Sequence, residues 1–336
     1  MVHALLLRSL VPAVIACMGF ITIPGPGLAA NSGENYPNRP IRMIVGFAPG
    51  GGTDIVARIA GKGITEYLGQ PVVVDNRPGG GGNIAGEIAA HSVPDGYTLI
   101  TGGTGSHAIN PSLFAKMSFD AVKDFSPVCL VAATPYLMVI HPSVPARSVQ
   151  QFIDLVKASP GRINMASAGN GSMGHLGGEL FKMMAGLQST DMTHIPYKGT
   201  GSLFPDLLSG SVHMMIGDVV ATSPFVRAGK LRAIGITSAK RAPRLPEIPT
   251  VSESGLPGYE AVGWFGVFAP AHTSKAIITS VNGAIVKYVT RLDTKELLAD
   301  LGADVVASAP EEFSRIQKAD LARWAQVVKA SGARIE

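Results

Sequence analysis

At 336 residues the chain is long enough for two domains or one large one. Apolar residues make up 46% and charged residues 15%, which excludes a disordered chain. The net charge of +4 comes from scattered basic residues, so there is no nucleic-acid footprint.

The first thirty residues read as a secretory signal. Arg8 and the amino terminus supply a positive region, Leu10 to Ile23 an apolar one, and Leu28-Ala29-Ala30 a small-residue cleavage site. Pro12 and Gly19 interrupt the apolar stretch, which is too short and broken for a membrane span. Val14-Ile15-Ala16-Cys17 also resembles a lipoprotein cleavage site, but the apolar run continues well past Cys17. Removing this segment leaves a net charge of +3 and one cysteine, Cys129, which can form no internal disulfide. Its neighbours Val128, Leu130 and Val131 suit a small buried hydrophobe.

Ile41 to Phe47 then reads as a buried strand, followed by the glycine loop Pro49-Gly50-Gly51-Gly52. Val56, Ile59, Ala60, Gly63 and Ile64 recur at helical spacing, with Thr53 or Asp54 the expected N-cap and Gly69 the stop. Val72 to Val74 is a second strand, closing a right-handed βαβ unit. It leads into Arg77-Pro78 and the run Gly79 to Gly82, then a helix over Asn83 to His91. A third strand, Tyr97 to Thr101, ends in Gly102-Gly103-Thr104-Gly105-Ser106. Three parallel strands thus end in glycine-rich loops at one carboxyl edge, where open α/β sheets bind ligands.

A strand is expected at Tyr136 to Ile140 and a helix over Val149 to Ala158. The pattern then restarts. Strand Ile163 to Ala168 meets loop Gly169 to Gly174, and a helix runs from His175 to Ala185. Strand Thr193 to Pro196 precedes loop Tyr197 to Ser202 and a helix to Ser209, and strand Val212 to Ile216 ends at Gly217-Asp218. Leu231 to Thr237 is one more strand, and the proline-rich stretch Arg241 to Pro257 has little regular structure. Trp264 to Ala269 is a last strand before helices over Ser274 to Thr290 and Pro310 to Ala330, which pack back on the first lobe. The crossings between lobes fall near Tyr136–His141 and Trp264–Pro270, a natural hinge.

Glycine loops on helix N-termini are anion sites that need no charged side chain. Gly169-x-Gly171-x-x-Gly174 formally matches a dinucleotide fingerprint. The acid at the right distance, Asp191, precedes the next strand instead of ending it, so a small-anion loop fits better. There is no Walker run, nucleophile elbow or metal spacing of histidines, and no metal or cofactor is expected. Lys198 is either a ligand contact or a solvated lysine, and Arg77 either a carboxylate clamp or the partner of an acid. His175, in the first turn of its helix, either faces an anion or is solvated on the helix surface. Asp218 either receives a ligand amine or hydroxyl or caps the segment that follows.

The chain resembles the Bug receptors, the substrate-binding proteins of tripartite tricarboxylate transporters. The resemblance rests on Tyr36-Pro37-Asn38-Arg39-Pro40, Phe47 to Asp54, Asn76-Arg77-Pro78-Gly79, Pro94 to Leu99 and Asn110-Pro111. Asp124 to Val128, His175-Leu176, Pro196-Tyr197-Lys198-Gly199, Gly229 to Ala233 and Leu256 to Glu260 extend it along nearly the whole mature chain. The departure is Ala271-His272-Thr273-Ser274, where the family more often has Ala-Gly-Thr-Pro.

The resemblance implies an α/β, two-lobed periplasmic-binding-protein fold, type II-like, a Venus flytrap with a two-strand hinge. The expected divisions are 1–30 for the signal, 36–138 plus 266–336 for lobe 1, and 139–265 for lobe 2. It implies a small carboxylate held largely by backbone amides. The contacts would be Phe47, Ala48, Gly51, Thr53 and Asp54 from the first lobe, and Ala168, Gly169, Ser172 and His175 from the second, with Asp218 nearby. Asp54 cannot attract a carboxylate while ionised, so its role is to cap and fix the loop. The expected partners are membrane transporter subunits, the expected state is a periplasmic monomer, and no catalysis is expected. The competing classes are a sensor subunit of a signalling kinase and a secreted enzyme on the same scaffold.

Overall fold

The computed structural model describes residues 36–331 and 333–335. The expected signal segment and Cys17 lie outside the described residues. In chain order the first elements are β1 (Ile41–Val45), α1 (Gly52–Leu68), β2 (Val72–Asn76), α2 (Asn83–Ala90), β3 (Thr98–Gly103), α3 (Asn110–Leu113) and β4 (Phe125–Ile140). Next come α4 (Val149–Ala158), β5 (Ile163–Ser167), α5 (Met173–Met184), β6 (Met192–Pro196), α6 (Thr200–Ser209), β7 (Met214–Asp218) and α7 (Val219–Arg227). The chain closes with β8 (Arg232–Ile236), β9 (Val262–Pro270), α8 (Lys275–Val289), α9 (Leu292–Asp300), β10 (Asp304–Val305) and α10 (Pro310–Ser331).

β1 is buried at every position but Arg42, whose guanidinium reaches Asp75 on β2 at 2.6 and 2.8 Å. It pairs in parallel with β2 and β3, the register the repeated βαβ grammar requires. α1 buries Val56, Ile59, Ala60, Gly63 and Ile64 on one face and stops at Gly69, whose φ of +76° only glycine takes readily.

The spine of the molecule is β4, 16 residues long. From Phe125 to Pro135 it pairs antiparallel with β9, and from Tyr136 onward with β7 and β8. The sheet order is β2-β1-β3-β9-β4-β7-β5-β6, with β8 and β10 also pairing β4. One strand therefore threads both sections of a two-lobed α/β fold. The expected strand at Tyr136–Ile140 is only its last part. The earlier part is buried on both faces, which removes the alternation that reveals a strand. Pro127 and register shifts beside it break the pattern further.

The chain returns to the first section through Thr237. Its hydroxyl accepts the Tyr136 N–H (2.7 Å) and donates to the Ala261 carbonyl (2.5 Å), and its backbone bonds both residues again (2.9 and 2.8 Å). The return lies earlier than Trp264–Pro270, because every residue of β9 from Val262 onward pairs within the first section. α7 and α9 escape the sequence pattern: Pro224 sits inside α7, and α9 buries only Thr294 and Leu298. Of the tail helices, α8 packs on α1 and β4, whereas α10 packs on β4 and α3 and also reaches α5 in the second section.

Candidate functional site

The carboxyl ends of β1, β3, β5 and β7 meet around one cavity. Its first-section wall is Phe47, Gly51, Gly52, Thr53 and the run Gly103 to Ser106, with Phe265 from β9. Its second-section wall is Ala168, Ser172 to Gly174, Thr200 and Met215 to Asp218, with Tyr136 at the crossing. The N-termini of α1, α5, α6 and α7 all point into this space. The N-caps of α1 and α6 are Gly51 and Gly199, neither with a side-chain cap, so no side chain of their own cap residues fills the first amides. No lysine, arginine or histidine is on the wall. The positive potential is that of helix termini and amides alone.

The N-cap of α1 is Gly51, not Thr53 or Asp54. The helix starts early because Gly52 leaves no Cβ between its backbone and the Asp218 carboxyl and Phe265 ring. Asp54, one turn in, faces away from the cavity. Its carboxylate accepts the Gly50 N–H (3.0 Å), the Asn76 amide (3.0 Å) and the Arg58 guanidinium (3.0 Å). Burial acts to raise its pKa, but these donors outweigh it and hold the carboxyl below the usual range. Asn76 also donates to the Phe47 carbonyl at 2.9 Å, so the acid ties the loop to β2. Asp54 fixes the loop, as its charge requires, without being the N-cap.

Of the other expected contacts, Phe47, Gly51, Thr53, Ala168, Ser172 and Asp218 line the cavity. Ala48 does not; its N–H crosses to the Lys198 carbonyl at 2.9 Å. Gly169 lines a neighbouring cavity with Gly79 to Gly82 and the exposed Lys198. Arg77 pairs with Asp75 at 2.9 Å. His175 lies behind the loop: its Nδ1 accepts the Gly171 N–H at 3.3 Å and its ring stacks on His194 at 4.2 Å. Ser172, the N-cap of α5, holds the His175 N–H at 3.2 Å. His194 in turn meets the Ser167 hydroxyl at 2.7 Å, and Lys182 pairs with Glu179 at 2.8 Å. The histidine therefore buttresses the loop from inside.

Sequence reasoning recognised the third loop but made none of its residues a contact, although Ser106 is on the wall and 3% exposed. Tyr136, Thr200 and Phe265 were also missed. Only the spatial convergence of separate elements reveals them.

Asp218 caps α7 through the Ala221 N–H at 2.9 Å and also takes the Gly52 N–H from across the cavity. Burial raises its pKa to about 6, and those amides offset only part of that. Burial likewise lowers three histidines: His107 to about 3, His194 to about 3 and His175 to about 4, the last two helped by Lys182. This fixes a sign. Between pH 6.5 and 4 the unfolded chain binds three protons that the folded chain refuses, while Asp218 holds one that the unfolded chain lacks. Stability is therefore expected to fall by roughly 2–3 kcal/mol per pH unit on acidification through this window. Urea midpoints at pH 7, 6 and 5 measure it; a flat profile would contradict neutral buried histidines.

The two walls touch through glycines. A Cβ on Gly201 would fall on the Pro49 carbonyl oxygen, and one on Gly81 on the Asn170 carbonyl oxygen. A Cβ on Gly199 would lie 2.5 Å from the Ala48 nitrogen, and one on Gly105 2.9 Å from the Gly171 carbonyl oxygen.

The family described as tripartite tricarboxylate transporter family receptor matches residues 56–333. Protein BugT of Bordetella pertussis is 37% identical over 325 residues, covering 96% of this chain and 98% of its own. The solved structure of R. palustris Rpa4515 with adipate superposes with a TM-score of 0.86 at 37% identity, covering 89% of this chain and all of that one. The periplasmic binding protein BugD superposes equally well, at 0.86 and 32% identity, covering 90% of this chain and all of its own.

Proposed function

This chain belongs to the tripartite tricarboxylate transporter receptor family, the Bug receptors, and on that premise we propose that it captures a small carboxylate between its lobes and delivers it to a membrane transporter. The observation that carries the reading is the convergence of four helix N-termini on a cavity with no cation on its wall. Such a site suits a compact anion that accepts several N–H bonds at about 2.9 Å, as a carboxylate does. The adipate in the Rpa4515 structure supports this ligand class.

The amides of Gly51, Thr53, Met173 and Gly174 hold the anion, with Phe47, Ala168, Ser172 and Asp218 on the walls. Ala48, Asp54, Gly169 and His175 set the loops. The lobes divide on β4 between Pro135 and Tyr136 and again just before Val262, and they close on the ligand, which stabilises the closed state by touching both. The leader at 1–30 exports the protein to the periplasm, where it acts as a monomer. The site binds and releases without chemistry.

A thermal-shift screen against a carboxylate library tests the reading. A true ligand at a hundredfold excess over Kd adds about 2.7 kcal/mol of stability, or about 4 °C in Tm for a chain of this size. No stabilisation by any carboxylate would refute it. Ligand-titrated small-angle scattering tests closure: compaction on saturation is expected.

A further inference from the structure

We infer that Ser106 is a hydrogen-bond donor aimed into the cleft, its hydroxyl turned there by the tautomer of His107, and that it selects a negatively charged ligand oxygen at that point of the wall. The choice of ligand oxygen rests on the carboxylate reading above; the orientation of the hydroxyl does not.

Ser106 and His107 lie in a single wide helical turn, Gly105–Ile109, between β3 and α3. The Ser106 Oγ is 2.9 Å from His107 Nδ1 and accepts the Gly103 N–H at 3.2 Å. The His107 ring is fully buried, stacked on Phe268 at 4.4 Å and edge-on to Phe125 at 5.1 Å. Gly102 leaves space for it, since a Cβ there would strike the ring. Its Nε2 has no hydrogen-bond partner.

A neutral imidazole carries one N–H, and its place decides what Ser106 can do. With the proton on Nε2, a buried donor would face aromatic carbon with no acceptor, the rarer and costlier kind of orphan. With the proton on Nδ1, the orphan is only a lone pair, and Nδ1–H donates to Ser106. The second arrangement is the favoured one. Both lone pairs of the serine oxygen are then filled, one by His107 and one by Gly103. Its proton has two places to go. The Gly103 carbonyl is 3.4 Å away, long for an O–H···O bond. The other is the cavity, where Ser106 lines the wall beside the N-terminus of α5. A ligand amine or ammonium meets no acceptor there, whereas a carboxylate oxygen does meet a donor. Ser106 is thus a ligand contact and His107 the residue that positions it.

Nitrogen-15 NMR of the histidine side chains in the ligand-free full chain reads the tautomer directly. Protonation at Nδ1 of His107 is expected, and protonation at Nε2 would overturn the inference. Succinate and adipate are the binding probes. Ser106→Ala is expected to weaken whichever binds by about 10–100-fold, with the fold unchanged; unaltered affinity would also overturn it. His107→Asn keeps a donor toward Ser106 and is expected to bind better than His107→Leu. Should neither probe bind the parent, the library screen above decides the carboxylate reading, and the NMR result alone still decides the hydroxyl's direction.

Discussion

Replacing Gly201 with alanine is expected to leave the protein as stable as the parent, or more so, while lowering affinity for its ligand about 30–100-fold. Gly201 is an ordinary helical position in the first turn of α6, with no left-handed backbone to lose. Alanine there gains up to about 1 kcal/mol of helix propensity. The added methyl, however, falls on the carbonyl oxygen of Pro49, in the loop before α1. The loops must part, and the N-termini of α1 and α6 no longer face one acceptor together. Overpacking a tight contact costs about 1–3 kcal/mol, and here that cost falls only on the state in which the walls meet. Calorimetry on variant and parent gives both numbers. Gly283→Ala on α8, where a Cβ meets nothing, is the control: more stable, with binding unchanged. Gly81 and Gly171 make poorer tests because their φ values of +63° and +80° strain any other residue. A Gly201→Ala protein that binds like the parent would separate wall contact from ligand capture.

The second large effect concerns Asp218. It is the one acid on the cavity wall, 4% exposed, with a pKa raised to about 6. A ligand carboxylate enters beside an ionised group at pH 7 and beside a largely neutral one at pH 5. At an effective dielectric near 20, two like charges several ångströms apart repel by a few kcal/mol. Affinity is therefore expected to rise about tenfold or more on going from pH 7 to pH 5. Asp218→Asn should bind tightly at both pH values, because asparagine keeps the cap on α7 and can still accept from Gly52. Stability follows with a definite sign. An acid whose folded pKa is raised costs stability above about pH 6, and that cost disappears as pH falls below the unfolded value. The variant should gain about 3 kcal/mol at pH 7 and little near pH 4. Titration calorimetry at pH 7 and pH 5 checks the first part and urea unfolding the second. Weaker binding by Asp218→Asn at pH 7 would instead mean that a ligand hydroxyl or amine sits on this carboxyl.

Local signals in the sequence carried much of this and then stopped for identifiable reasons. Glycine runs after apolar strands located the loops of β1, β3 and β5, because a tight strand-to-helix turn needs residues without a Cβ. The charge argument placed Asp54 as the anchor of its loop, although its partners Gly50, Asn76 and Arg58 appear only in the fold. His175 was legible as a residue of the first turn. Which way its ring turns depends on His194, nineteen residues on and one strand away, and nothing local encodes that. β4 was half hidden because full burial erases its alternation. Ser106 was hidden because its donor role is set by a neighbour's tautomer, which depends on Phe125 and Phe268 packing around an otherwise ordinary histidine.

The path of β4 through both sheet sections, pinned by Thr237, has a consequence for how tightly such a receptor can hold a small ligand. Two halves joined by loose linkers must find each other anew at every capture, and the search is an entropic penalty that grows with linker length. Here the halves share one hydrogen-bonded strand, and a buried hydroxyl ties the outgoing and returning segments at 2.7 and 2.5 Å. The shared strand and this tie limit how far the two can separate. On the proposed reading, little of the ligand's binding energy is consumed in assembling the walls, which would leave even a molecule of a few carbons able to tip the balance between open and shut.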